Sequence, residues 1–363
     1  MKTKVFALLS FVVVLSMVFA GCAPAAAPAA PAAPAAPAAP AATDCSSKDV
    51  FCVGLVTDVG KVDDKSFNQS AYEGLKQAEK DLSAKIKYIE TTDPKDYGKN
   101  IATFADEKYD VVVTVGFALG EATIAAAKKY TDTKFIGVDQ FQGEAVANLS
   151  GVIFDEDKSG YLAGALAGLM TKSNKIGGVF ATDVVPPVWK FGEGYRAGIK
   201  AVKPDAEINI VYHNDVGMDK TFTDPEWGKT TATSMMDKGV DVIFAAGGKT
   251  GNGGLIGVAG KSTSDKMIYA IGVDTDQYLT VPEAQKVLLS SAMKMIVPGV
   301  FDNIKAAKDG TLKGGNFVGP VALAPFHDLD TAVSAEIKAK LAEIDKGLKD
   351  GSIKTNVPPS KPS

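Results

Sequence analysis

The second half of this chain echoes the first. Asp110-Val-Val-Val-Thr-Val-Gly116 is answered by Asp241-Val-Ile-Phe-Ala-Ala-Gly247, and Phe135-Ile-Gly-Val-Asp139 by Ala270-Ile-Gly-Val-Asp274. Short apolar runs fall at 50–56, 85–90, 110–116, 134–138 and 151–154, then at 175–181, 207–212, 241–246, 268–273 and 287–292. Helical patterns intervene, including 190–202, 227–238 and 252–260. Short apolar strands alternating with helices imply parallel sheets covered on both faces, an α/β architecture. One duplication predicts two similar lobes facing each other across a cleft, not a long repeat array. Ligands of open α/β sheets sit beyond strand C-termini. Asp139 and Asp274, at matched strand ends, would therefore approach one ligand from opposite sides. As core residues they are poor candidates, because a buried unpaired carboxylate is costly.

The first strand runs directly into a polar loop carrying Asp58, Asp63, Asp64, Ser66, Phe67 and Asn68. A helix is expected from about Ser66, since Ala71, Leu75 and Ala78 share one face. Asp58 could face a ligand or only cap backbone N–H groups of its loop. Phe67 could face a ligand or staple the helix start. Beyond the tenth strand the pattern predicts a helix over 300–307, a strand-like run over 318–323 and an amphipathic helix over 331–349. The tail Val357 to Ser363 is rich in Pro and Ser and is expected to fray.

The N-terminus has Lys2 and Lys4, an apolar run from Val5 to Ala20, then Gly21-Cys22. A charged start, an apolar stretch and a small-residue cleavage site make residues 1–21 a signal peptide. Phe19-Ala20-Gly21-Cys22 looks like a bacterial lipobox, so Cys22 is the expected lipidation site, with a soluble secreted form as the alternative. Residues 23–42 contain only Ala and Pro. Proline blocks helix propagation, so 22–47 reads as an extended linker of roughly 3.1 Å per residue. The chain has three cysteines. With Cys22 lipidated, Cys45 and Cys52 form an even pair in an exported protein: a disulfide, or a buried free thiol at Cys52.

About 315 residues remain, enough for two cores. The net charge of −4 becomes −6 without Lys2 and Lys4. That argues against nucleic-acid polymers, which need a basic face. Enzyme readings fail on particulars. The chain's two histidines, His213 and His327, are far apart and lack the spacing of metal ligands. No Gly-x-Ser-x-Gly elbow occurs. Gly248-Lys249-Thr250 lacks the upstream Gly of a phosphate loop, and Gly251, Gly253 and Gly257 miss the dinucleotide pattern. No catalytic residue, metal or cofactor is expected.

From about Val50 to Leu348 the chain resembles the basic membrane protein family. The matching stretches are the 54–69 loop, Asp96-Tyr97 to Asp110, Gly116-Phe117 and Asp155 to Met170. Phe191-Gly-Glu-Gly-Tyr195-Arg-Ala-Gly198, Ala246-Gly247-Gly248 and Gly272-Val273-Asp274-x-Asp276-Gln277 complete the set. The resemblance implies a type I periplasmic-binding-protein fold: a lipid-anchored, extracytoplasmic, monomeric subunit of an ABC importer that delivers a nucleoside to a permease. It implies three crossings between lobes, near 154, 290 and 316. Lobe one would comprise 48–154 plus 290–315, and lobe two 155–289 plus 316–350. By resemblance Phe67 stacks on the base, Asn68 and Asp139 bond its edge, and Asp274 with Lys294 holds the ribose hydroxyls. Asp58, Phe191, Gly247 and Gly248 join the expected site. The second aromatic wall stays open among Phe191, Trp189 and Phe244. A sugar-binding protein or a surface sensor of the same fold are the alternative readings.

Overall fold

The structure is a computed structural model that describes residues 45–362. The signal peptide, Cys22 and the Ala/Pro linker as far as residue 44 lie outside the described residues.

Lobe one opens with β1 (Cys52–Val59), α1 (Phe67–Leu82), β2 (Lys85–Thr91), α2 (Tyr97–Asp106), β3 (Val111–Val115), α3 (Gly120–Lys129), β4 (Lys134–Val138) and β5 (Leu149–Phe154). Lobe two follows with α4 (Glu156–Met170), β6 (Lys175–Phe180), α5 (Pro186–Val202), β7 (Glu207–Tyr212), α6 (Met218–Thr221), α7 (Pro225–Asp237), β8 (Val242–Ala246), α8 (Gly248–Lys261), β9 (Tyr269–Asp274), α9 (Gln277–Thr280) and β10 (Leu288–Lys294). The chain then makes α10 (Ile296–Lys308), β11 (Gly315–Gly319), β12 (Val321–Leu323) and α11 (Ala335–Asp350).

The strands form two six-stranded sheets, β11-β5-β4-β3-β1-β2 and β12-β10-β9-β8-β6-β7. All pairings are parallel except β10 with β12. The central strands of each sheet are buried on both faces, which is why they read as continuous apolar runs, whereas the edge strands β2, β7 and β11 are partly exposed. In lobe one, α1 and α10 close one face with Leu75, Val300 and Ile304, while α2 and α3 close the other with Ile101, Phe104 and Ala127. In lobe two, α4, α5 and α11 cover one face and α7 with α8 the other.

The run 318–323 is not one strand. Pro320 divides it, and its two parts join different sheets. The expected crossing near 316 thus falls inside β11, and the one near 290 inside β10. Periodicity marks a strand but not the sheet that recruits it. The Gly-rich stretch of α4 and the Phe191–Gly198 segment of α5 turn out to pack against each other. A Cβ on Gly164 would lie 2.0 Å from the Tyr195 carbonyl oxygen. These motifs therefore fix a close helix pair, and through it the position of Phe191. The tail is tethered: Lys361 pairs with Asp183 at 2.6 Å, and Thr355 bonds Asp157.

Candidate functional site

Strand C-termini from both sheets converge on a cavity of about 280 Å³, at the small end of ligand pockets. β4 ends at Asp139 and β9 at Asp274, and both take the left-handed conformation, with φ of 59° and 66°. Few residues other than Gly tolerate this. Asp does so comparatively well, because its short side chain can bond locally. The internal duplication is thus realised as two matched carboxylates on one cavity.

Lys294, the last residue of β10, lies between them. Its Nζ is 2.6 Å from Asp139 Oδ2 and 3.5 Å from Asp274 Oδ1, and the side chain is only 3% exposed. Burial opposes its charge, yet Asp139, Asp274 and Glu156 hold its pKa above the ordinary lysine value. Burial also lifts Asp139, against the pull of Lys294. The ammonium sits 4.5 Å from the Phe67 ring centre and 5.7 Å from that of Phe191, within cation–π range. Asp274 accepts a further bond from Ser66 Oγ at 2.7 Å.

The β1–α1 loop is organised by Asp64. One carboxylate oxygen accepts from the N–H groups of Ser66 and Gln69, at 2.9 and 3.1 Å. The other accepts from the Asn68 N–H and Nδ2, at 2.9 and 3.1 Å. An anion at a helix N-terminus satisfies donors that have no intrahelical partner. It also fixes the Asn68 amide, so that Asn68 Oδ1 is the free end. Asn68 Oδ1 and Asp139 Oδ1 are buried oxygens without hydrogen-bond partners, and both residues line the cavity. Buried acceptors left open at a cavity call for a ligand rich in donors. Burial and the neighbouring Asp64 push Asp58 up to about 7, while burial pushes Asp64 up to about 6. Gly116 is required beside them. Its φ is +114°, and a Cβ there would meet Asp58 Oδ2 at 2.1 Å.

A family model described as "ABC transporter substrate-binding protein PnrA-like" matches residues 51–319. The chain belongs to this Bmp family. Family members are solute-binding proteins of ABC transporters, not enzymes. The "CD4+ T-cell-stimulating antigen" of Listeria innocua is 33% identical, with 100% of each chain covered. The "ABC transporter nucleoside-binding protein BmpA" of Lactococcus lactis is 34% identical over 82% of this chain and 87% of its own. A solved ABC transporter solute-binding protein from Aeropyrum pernix superposes with a TM-score of 0.75 at 23% identity, over 84% of this chain and 92% of its own. That likeness places the fold among type I periplasmic solute-binding proteins.

In this Bmp-family chain Asp58, Phe67, Asn68, Asp139, Phe191, Gly247, Gly248, Asp274 and Lys294 all line the one cavity. The candidates for the second aromatic wall separate. Phe244 is fully buried in the lobe-two core, edge-on to Phe180 and Phe191. Trp189 faces away from the cavity, toward the C-terminal tail. Phe191 reaches the cavity, joined by Phe117, Phe222 and Thr223, which sequence reasoning did not select. Phe222 directly follows α6, in the connection from β7 to α7, and the strand-end rule applied to lobe two would have flagged that connection. Lys294 was paired with Asp274 by resemblance, but its shorter contact is to Asp139. Both histidines serve the scaffold: His213 lies between Asp215 and Asp224 and stacks on Trp227, and His327 contacts Asp276 and stacks on Tyr278. Cys45 and Cys52 are bridged, with Cα atoms 5.7 Å apart. Among the described residues, no helix is long and apolar enough to cross a membrane.

Proposed function

We propose that this protein is a lipid-anchored receptor that closes its two lobes on a nucleoside and delivers it to an ABC permease. One arrangement carries the reading: an aromatic face at Phe67 beside the buried Asp139–Lys294–Asp274 cluster. A planar base has a surface to stack on, with Phe191 and Phe222 available from lobe two. Ionised carboxylates only accept hydrogen bonds and so suit the two O–H donors of a ribose diol. The open oxygens of Asn68 and Asp139 suit N–H groups on a base edge. The nucleoside-binding relative supports the ligand class. The lipobox at Cys22, together with a Pyrococcus abyssi relative named as a lipoprotein, supports an anchor on the extracytoplasmic face.

Calorimetry with inosine, guanosine, adenosine and hypoxanthine tests the ligand. Phe67→Ala should weaken nucleosides and free base alike. Asp274→Ala should weaken nucleosides by about tenfold to a hundredfold, the worth of a lost charge-assisted bond, and leave free base unchanged. Equal nucleoside affinities for wild type and Asp274→Ala would refute the ribose assignment. If wild-type protein bound pentoses or hexoses and no nucleoside, the sugar reading would replace this one.

A further inference from the structure

The loop that presents Phe67 and Asn68 is gripped from the opposite lobe by residues outside the ligand cavity. Asn252 Nδ2, on α8, donates to the Asp64 carbonyl oxygen at 2.8 Å. Thr280 Oγ1, at the end of α9, donates to the Lys65 carbonyl oxygen at 2.8 Å. Gln277 Nε2 reaches the same Lys65 oxygen at 3.3 Å and also donates to Asn252 Oδ1 at 2.8 Å. Gln277 Oε1 in turn accepts from the Val273 N–H at 2.9 Å, one residue before Asp274. Two ion pairs flank the grip, Lys65–Glu283 at 3.4 Å and Lys249–Asp63 at 3.2 Å. None of Asn252, Gln277 or Thr280 lines the cavity.

We infer that Asn252, Gln277 and Thr280 form a closing latch that positions the ligand-bearing loop and sets affinity without touching the ligand. The bonds cross between lobes, so they form only when the cleft is shut. A receptor's apparent affinity scales with the fraction of its closed form. The acceptors are main-chain carbonyls, so the grip depends on lobe position and not on the loop's side chains. Gln277 and Asn252 bond each other as well as the loop. Lobe two thus keeps a formed donor face that docks without first being ordered. The latch reads one ligand as well as another, whereas the cavity side chains discriminate among them.

The ligand chosen for the test rests on the nucleoside reading, but the latch does not. Thr280→Val removes one donor with little change of shape, and Thr280→Ser restores it. A net hydrogen bond corresponds to roughly a twofold to tenfold change in an equilibrium. Stopped-flow binding of inosine, guanosine and adenosine to the full chain in detergent should show about that loss for Thr280→Val, and more for Thr280→Val with Asn252→Ala. The loss should lie in a faster dissociation rate, with the ratios among the three ligands unchanged and Thr280→Ser near wild type. Unchanged dissociation rates in the double variant would overturn the latch, as would altered ratios among ligands. Hydrogen exchange at saturating nucleoside, where the cleft is shut, gives an independent reading. Amides of residues 64–69 should exchange faster in Thr280→Val at an unchanged melting temperature. Equal exchange would overturn the latch; a wild-type protein that binds no nucleoside would overturn only the ligand class, and the same exchange comparison at saturation with the pentose or hexose that binds instead would then decide the latch.

Discussion

Replacing Lys294 with Met removes the cation that lies against both matched carboxylates. Met keeps most of the side-chain volume, so the change is chiefly one of charge. In the wild-type protein both carboxylates have an oxygen within 3.5 Å of the ammonium nitrogen. Without it, Asp139 and Asp274 are buried with no shared counter-ion, and Asp274 keeps only its bond from Ser66 Oγ. Breaking a buried ion pair from one side typically costs about 3–5 kcal/mol. For a chain of this size that is a fall in melting temperature of roughly 10 °C. The loss should depend on pH. With the cation gone, burial acts on Asp139 without the opposing pull of Lys294, so its carboxyl, already raised in the wild type, moves further above its unfolded value. The folded variant then binds more protons than the unfolded chain, and its deficit against wild type shrinks as pH falls. Melting curves of wild type and Lys294→Met between pH 4.5 and 8 would show the gap narrowing toward acid. A gap below about 2 °C at pH 7.5, or one independent of pH, would refute the reading of Lys294 as a shared counter-ion.

The wild-type cleft should itself respond to pH. Burial lifts Asp58 and Glu156 to about 7 and Asp64 to about 6. These raised groups contribute stability that is complete below the unfolded carboxyl pKa of about 4 and is lost as pH rises through 6–7; urea denaturation at pH 5 and 8 should find the protein weaker at 8. Gly116→Ala should displace Asp58 and strain a left-handed turn, lowering both melting temperature and ligand affinity; unchanged values would remove Gly116 from the site. Cys45 and Cys52 should resist alkylation until reduced, and reduction should lower stability by about 2–3 kcal/mol, measured by denaturant titration with and without reductant. Truncation after Asp350 should expose Trp189 and red-shift its fluorescence, and an unshifted spectrum would show that the tail does not cover it.

Much of the architecture was legible because burial on both faces of a parallel sheet forces near-continuous apolar runs. Those runs located the strands of both lobes and, by their pairing, the duplication. The strand ends then pointed to Asp139 and Asp274, since an acid that closes an apolar strand has few roles in a core. Phe67 and Asn68 came from the loop after β1 and from family resemblance together. Phe222 escaped, because nothing local separates an aromatic residue in one polar loop from another. Phe244 and Trp189 competed with Phe191 for the same reason: a strand or helix pattern says that a ring is buried but not against what.

The sequence by itself determined the α/β class, the two-lobe duplication and the placing of acidic residues at strand ends. Each follows from local periodicity and from the cost of burying charge, which act on neighbours in the chain. Tertiary structure alone decided that Lys294, paired with Asp274 by resemblance, makes its shorter contact with Asp139, 155 residues away in sequence. It decided that Pro320 divides one apolar run between two sheets, and that Asn252, Gln277 and Thr280 meet the carbonyls of Asp64 and Lys65. Hydrogen bonds and ion pairs such as these depend on distances of about 3 Å between groups far apart in the chain. Those distances are set by how whole lobes pack, and no pattern in a single stretch of sequence carries them.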